Sequence, residues 1–344
     1  MAFVGREFKN FLVKNLYYSF DRLDFVKIAI FITLNLAVAL LSLAVGSSHY
    51  GFGELLQVIN GTADETVLAI VVDYRLPRLI LAMVVGAALS ASGCALQALF
   101  RNPLAEPYIL GIASGASMGA IISVVFGFGV FERILLAFST SLLTAYLVFL
   151  IGNMKKFRDQ SYGILLAGIA IASFLSGLNS LLLYLHSQSL HQVIFWLMGS
   201  FSNPLWEEVY FSLPLLIIGL SFLLATSWNL NALLLGDEHA KAVGINVERY
   251  RTELIIFTSL LTSTAVAVGG VIGFVGIIIP HTVRLLIGEE HRQLLPATIL
   301  LSTAFMPFVD IFARISTSGE IPVGAITAML GGPFFLYLLM RRGL

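Results

Sequence analysis

The residues best equipped for chemistry in this chain cluster in one run, Gly236-Asp237-Glu238-His239-Ala240-Lys241-Ala242-Val243-Gly244-Ile245-Asn246. It is too polar to sit in lipid, yet membrane-length apolar runs flank it on both sides. Such a run reads as a docking surface for a partner that supplies what the chain lacks. Asp237 is expected to cap a short helix, Gly244 to close it in the left-handed conformation, and Asn246 to cap a second short helix at an angle to the first. Loops between spans need only a few residues, whereas the segment 229–251 has about 23.

Enzymatic chemistry finds little support. No Gly-rich loop ends in Gly-Lys-Ser/Thr, no His-Glu-x-x-His occurs, and no Gly-x-Ser-x-Gly is set on a strand-turn-helix. His281 and His291 are too isolated for a zinc site, so no metal and no cofactor is expected. Cys94 stands alone inside an apolar span and reads as a small packing residue. A non-catalytic chain is expected.

Other charged and polar groups sit at helix ends. Arg75-Leu76-Pro77-Arg78 is expected to hold an extended, proline-stiffened corner from which two guanidinium groups project. Arg314 closes a later span, with Glu320-Ile321-Pro322 opening the next. Asp310, the one carboxylate well inside a span, is expected to pair with Arg314 one helical turn away. Gln97 through Pro107 reads only as a tight turn, with two prolines and the charges of Arg101 and Glu106. Small residues recur at helical spacing in Gly86, Ser90 and Gly93, in Gly111, Gly115 and Gly119, and in Gly270, Gly273 and Gly276, as helices that pack closely in lipid require. Ser173, Ser176, Gly177 and Ser180 form a similar stripe. Asn179 beside it adds an amide that lipid tolerates poorly, so Ser173, Ser176, Asn179 and Ser180 are candidates for lining a polar path.

These groups must be positioned by membrane helices. The chain is 58% hydrophobic and 12% charged, against about 45–50% and about 25% in soluble domains. Apolar runs long enough to cross about 30 Å of hydrocarbon recur from Val26 to Met340. They predict about ten spans, near 26–47, 78–99, 108–129, 133–152, 162–185, 206–228, 252–270, 271–288, 294–313 and 321–340, in a single domain over 1–344. Gly269-Gly270 marks the division between the seventh and eighth. With the N-terminus inside, 16 of the 20 basic residues fall on the inner side and only Arg75, Arg78, Arg133 and Arg314 outside. Both termini are then expected in the cytosol, with the first span an uncleaved anchor.

At this level of detail the chain resembles the FecCD-type permease subunits of ABC importers for iron-siderophores, haem and cobalamin. The resemblance rests on six ordered blocks from Arg75 onward: Arg75 to Arg78; Gln97 to Pro107 with Leu110-Gly111; Trp196 to Ser200; Gly236-Asp237 with Ala240 and Gly244; Gly273 to Gly276 with Pro280-His281 and Arg284; and Glu320 to Gly324. It implies an all-α, ten-helix type II importer permease in a bacterial or archaeal cytoplasmic (inner) membrane, with helices 2–5 and 7–10 as inverted repeats and a second copy completing a central path. It implies two cytosolic ATPase subunits docked on Gly236, Asp237, Glu238, Ala240 and Gly244. It also implies an external binding protein whose glutamates meet Arg75, Arg78 and Arg314. Residues 1–74 match by hydropathy only. The alternative from the residues themselves, an ion- or proton-coupled secondary transporter, needs ionisable groups near the midplane, and Asp310 is the main candidate.

Overall fold

A computed structural model describes residues 22–46, 50–154, 160–186, 190–316 and 319–342. Arg6, Lys9, Lys14, Lys155, Lys156 and Arg158, used above to assign sidedness, lie outside these residues. The described residues are predominantly helical, with no strand among them.

The centre of the bundle is one long helix. Helix α1 (Arg22–Ala44) and the short α2 (Phe52–Ile59) precede α3, which runs from Glu65 to Leu99. Asp64 caps α3 by accepting from Val67 N at 2.7 Å. The extended corner expected at Arg75-Leu76-Pro77-Arg78 is corrected, because the chain there is already helical and widens into a π turn over Ala69–Arg75. The wider π turn accommodates a proline that lacks an N–H and would crowd an ordinary α turn.

Almost every residue of α3 from Pro77 to Leu99 is buried. Its small residues explain why neighbours come so close. A methyl group at Gly93 would collide with the Gly276 backbone, and one at Gly86 would lie 2.5 Å from the Ser302 carbonyl oxygen. Ser90 donates to Ser302 Oγ at 2.8 Å. Backbone contact of this kind gains dispersion energy where lipid removes the hydrophobic incentive. The second stripe packs likewise, Gly115 and Gly119 of α4 (Ile112–Val125) lying against Thr140, Thr144 and Leu136 of α5 (Val130–Gly152).

The remaining helices are α6 (Gln160–Leu185), α7 (Leu190–Leu197), α8 (Trp206–Ala225), α9 (Ser227–Leu234), α10 (Asp237–Ala242), α11 (Val247–Gly269), α12 (Val275–Ile287), α13 (His291–Ile315) and α14 (Val323–Arg342). Among the described residues seven apolar helices are long enough to cross a membrane, and α4, α12 and α14 are shorter apolar helices at the expected third, eighth and tenth positions. The division at Gly269-Gly270 falls where the sequence places it. The helical stripe expected through Gly270 and Gly273 does not form, since 270–274 is non-helical and only Gly276 lies on a helix.

Each shortened span is preceded by irregular backbone containing a non-glycine residue in the left-handed region: Arg101 (φ 49°), Phe274 (φ 67°) and Glu320 (φ 49°). Such backbone costs about 1–3 kcal/mol per residue and persists only when its surroundings hold it. Each is held by a polar contact from elsewhere in the fold. Arg101 pairs with Asp237; Phe274 N donates to Glu106 Oε1 at 2.7 Å; Glu320 accepts from Arg78 at 3.0 Å.

Candidate functional site

The polar segment between α8 and α11 is two short helices, α9 and α10, rather than a loop. Gly236, with φ 113°, is the residue before helix α10, and Asp237 is the helix's first residue rather than its cap. The capping role expected of Asp237 is thus corrected. Its carboxylate is drawn instead to two guanidinium groups, with Oδ1 on Arg101 and Oδ2 3.1 Å from Arg251. Gly244 closes the helix with φ 89°, Ile245 N donating to Ala240 O at 3.0 Å and Gly244 N to Lys241 O at 2.9 Å. That reciprocal pairing satisfies carbonyls at the helix end. Asn246 accepts from Arg249 N at 3.1 Å, and the helix it caps is the 23-residue α11 itself, not a second short one.

Around this core, Ala240 is fully buried and Glu238 is the most outward group. The Glu238 side chain is 91% exposed and pairs with Lys241 at 3.0 Å, which raises the lysine's pKa above its ordinary value. Arg101 also donates to Leu233 O at 3.0 Å. One aspartate therefore fastens α10 both to the C-terminal end of α3 and to α11.

Polar contacts sort the helix ends onto two faces. On one face Asp237 meets Arg101, Asn231 of α9 reaches the start of α13, and Lys27 Nζ donates to Leu286 O at the α12 end at 2.7 Å. The opposite face carries Arg75, Arg78 and Arg314. These three were expected to project outward, and this is corrected: they are 2%, 1% and 3% exposed. Arg78 meets Asp310 at 2.9 Å and Glu320 at 3.0 Å, Arg314 lies 3.2 Å from Asp310 and donates to Ser42 Oγ, and Arg75 donates to Leu43 O and Tyr50 O. Carboxylates and orphan carbonyls inside the fold outbid water for the guanidinium protons. The Asp310–Arg314 pair forms as expected. Glu320, with 21% of its side chain exposed, is the outer edge of the cluster.

Ser173, Ser176 and Ser180 face outward from α6, and nothing lies within 4 Å of a methyl built on Gly177. Asn179 turns inward, donating to Ser114 O at 3.2 Å while its own Oδ1 is buried without a partner.

Sequence reasoning missed the junction where two interrupted spans meet. The segment read as a plain turn continues inward through Glu106 and Tyr108. The Tyr108 hydroxyl donates to Ile272 O at 3.0 Å and accepts from Ile272 N at 3.1 Å, beside the Glu106–Phe274 contact. The bonds satisfy backbone that would otherwise be stranded within the membrane. A glutamate followed by proline, facing Gly-Phe in a later apolar run, is the only sequence signal available.

The description "FecCD transport family" matches residues 34–341. The cobalamin import system permease protein BtuC of Halobacterium salinarum is 40% identical over 298 residues, 86% of this chain and 76% of its own. The molybdate import system permease protein MolB of Haemophilus influenzae is 36% identical over 93% of this chain and 98% of its own. A solved structure described as an inward-facing conformation of a metal-chelate type ABC transporter superposes with a TM-score of 0.81 at 34% identity, covering 92% of this chain and 99% of that one.

Proposed function

The chain belongs to the FecCD transport family, and on that footing we propose that it is the membrane-spanning permease subunit of a binding-protein-dependent ABC importer. It sits in the cytoplasmic membrane with both termini and α10 in the cytosol, pairs with a second copy, and performs no chemistry of its own. Two ATPase subunits dock on α10 and a binding protein delivers cargo to the opposite face.

The observation that carries this reading is the double pairing of Asp237 with Arg101 and Arg251. A push on the exposed face of α10 is passed at once to α3 at the bundle centre and to α11. Glu238 is the contact residue, Asp237 the link, and Ala240, Gly236 and Gly244 shape the element. In the proposed inverted repeat, the third and eighth spans correspond, and these are the two interrupted helices joined by Tyr108 and Glu106. Interrupted helices at matching positions of the two halves are where inverted-repeat transporters place irregular backbone near the membrane midplane.

The proposed path runs along the Ser173, Ser176 and Ser180 face of α6, closed by the same face of the second copy, with Asn179 holding α6 against α4. We propose a metal chelate as cargo, an iron-siderophore, haem or cobalamin, on the strength of the cobalamin relative and the metal-chelate transporter. The molybdate relative is the competing precedent. Binding-protein docking on Arg75, Arg78 and Arg314 is proposed in an altered form: the arginines set the shape of the outer corner from within, and an incoming carboxylate competes with Glu320 for Arg78. The secondary-transporter reading loses ground because Asp310, its main candidate, is buried and already paired with both Arg78 and Arg314.

The test is ATP-driven uptake in proteoliposomes containing permease, ATPase and binding protein. Glu238→Lys should retain ATP hydrolysis while uptake falls several-fold, and unchanged uptake would remove the docking role. Competition by cobalamin, haemin, a ferric siderophore and molybdate identifies the cargo class.

A further inference from the structure

On the face that carries Arg78, a cavity of about 370 Å³ opens between the first turns of α5 and α8, the end of α7 and the end of α11. Tyr74 ties it to that face: its hydroxyl accepts from Arg78 Nη1 at 2.9 Å and donates at 2.9 Å to the carbonyl of Ser202, a lining residue. At roughly 30 Å³ per water the cavity has room for about twelve waters, or for a small polar headgroup.

Two charged side chains line it, each with bonding capacity that the fold leaves unused. Arg133, near the start of α5, donates no side-chain hydrogen bond to any described residue, and its Nε is enclosed, so donation is left to the two terminal nitrogens. Glu208, in the first turn of α8, is 6% exposed and commits one oxygen, Oε2, to Leu205 N at 3.2 Å. Its Oε1 accepts from no described residue yet is not sealed in, so it opens onto the cavity that Glu208 lines. The two groups feel each other's charge but form no ion pair within 4.0 Å. A cation and an anion held close without pairing offer complementary charges to one guest.

The surroundings narrow the choice of guest. Phe195, Trp196 and Phe201 supply aromatic faces, which attract an ammonium group. Glu132 and Glu207, exposed beside Arg133 and Glu208 in the sequence, add negative charge. A purely anionic guest is therefore opposed, whereas a zwitterion can set its anionic oxygen on Arg133 and its ammonium on Glu208. The same two helices expose Phe131 and Tyr210, the latter stacked on Trp206 at 5.8 Å, and they meet deeper through Phe138 and Phe211, edge to face at 5.3 Å. Exposed aromatic groups at helix ends mark the level of lipid headgroups.

We infer that this cavity binds a zwitterion with a primary ammonium group, either the headgroup of phosphatidylethanolamine from the leaflet on that face or a free molecule carrying the same groups. None of its described lining residues belongs to α10 or to the Ser173, Ser176 and Ser180 face of α6.

The test is lipid retention by the purified full-length permease, read by native mass spectrometry after exchange into equimolar phosphatidylethanolamine, phosphatidylcholine and phosphatidylglycerol, with free phosphoethanolamine titrated in detergent beside it. The wild type should retain phosphatidylethanolamine several-fold over phosphatidylcholine, whose ammonium has no N–H for Glu208, and over phosphatidylglycerol, which has no ammonium. Arg133→Gln should weaken that retention several-fold. Glu208→Gln, which keeps an oxygen for Leu205 N, should remove most of the preference over phosphatidylglycerol. A lipid preference without binding of phosphoethanolamine supports the site with a lipid, and binding of phosphoethanolamine supports it with a free zwitterion. Equal retention of the three lipids with no binding of phosphoethanolamine at millimolar concentration, or a preference that both variants leave intact, overturns the inference. The wild-type comparison alone can overturn it should a variant fail to fold.

Discussion

Arg101 donates to Asp237 across 136 residues of sequence while its own backbone is held left-handed at φ 49°. A strained residue at the mouth of an interrupted span is thereby pinned by the element proposed to meet the motor. Arg251 shares the same carboxylate. Partly exposed pairs are worth at most about 1 kcal/mol each, so the link is weak enough to be worked in each cycle.

Asp237→Asn should therefore leave the fold in place and loosen the coupling. Thermal unfolding in detergent is expected to shift by only about 2–4 °C, while uptake per ATP hydrolysed falls several-fold. A large loss of thermal stability with normal coupling would assign Asp237 a purely structural role.

The outer cluster should behave in the opposite way. Arg78 and Asp310 are 1% and 0% exposed, and removing one partner of a buried pair costs about 3–5 kcal/mol. Arg78→Ala and Asp310→Ala should both unfold at clearly lower temperature. Glu320→Gln leaves Arg78 with Asp310, so stability should change little. Under the altered docking proposal its affinity for the binding protein rises, most at low salt, as titration at two ionic strengths will read.

Much of this architecture was open to inspection in the sequence, and the boundary of what was open has a physical cause. Apolar runs of membrane length are local patterns, so the ten positions and the break at Gly269-Gly270 could be read directly. Whether an apolar run is helical throughout is not local. Residues 107–111 and 270–274 are apolar enough for lipid, yet leave the α-helix: 107–110 is a tighter 3-10 turn, and within 270–274 the backbone of Ile272 and Phe274 is satisfied by Tyr108 and Glu106 from 164 and 168 residues away. The inward turn of Arg78 was hidden for the same reason, its carboxylates lying 232 and 242 residues further on. Pro77 misled because a proline before an apolar run usually marks a helix start, whereas here it lies within one, just after a π turn.

Tyr108→Phe tests the junction. Removing the hydroxyl strands both the N–H and the carbonyl of Ile272, at about 1–3 kcal/mol for each unsatisfied group. Amide exchange over 270–274 should quicken by at least tenfold and uptake should fall. Unchanged exchange would mean that the hydroxyl does not hold the two segments together.

Two glycines separate packing from path. Gly93→Ala drives a methyl into the Gly276 backbone, and overpacking of this kind costs about 1–3 kcal/mol. Gly177→Ala meets nothing within 4 Å in the single chain and improves helix propensity by about 1 kcal/mol. The first should lower thermal stability, and the second should preserve it while altering uptake if α6 lines the path.

The central claim is that movement enters through α10 from a motor on other polypeptides. Its most direct test is cargo accumulation by proteoliposomes holding the permease and its binding protein, with and without the ATPase subunits and internal ATP. The account predicts accumulation against a gradient only when ATPase and ATP are both present. Accumulation driven by a proton gradient with no ATPase in the vesicle would contradict it.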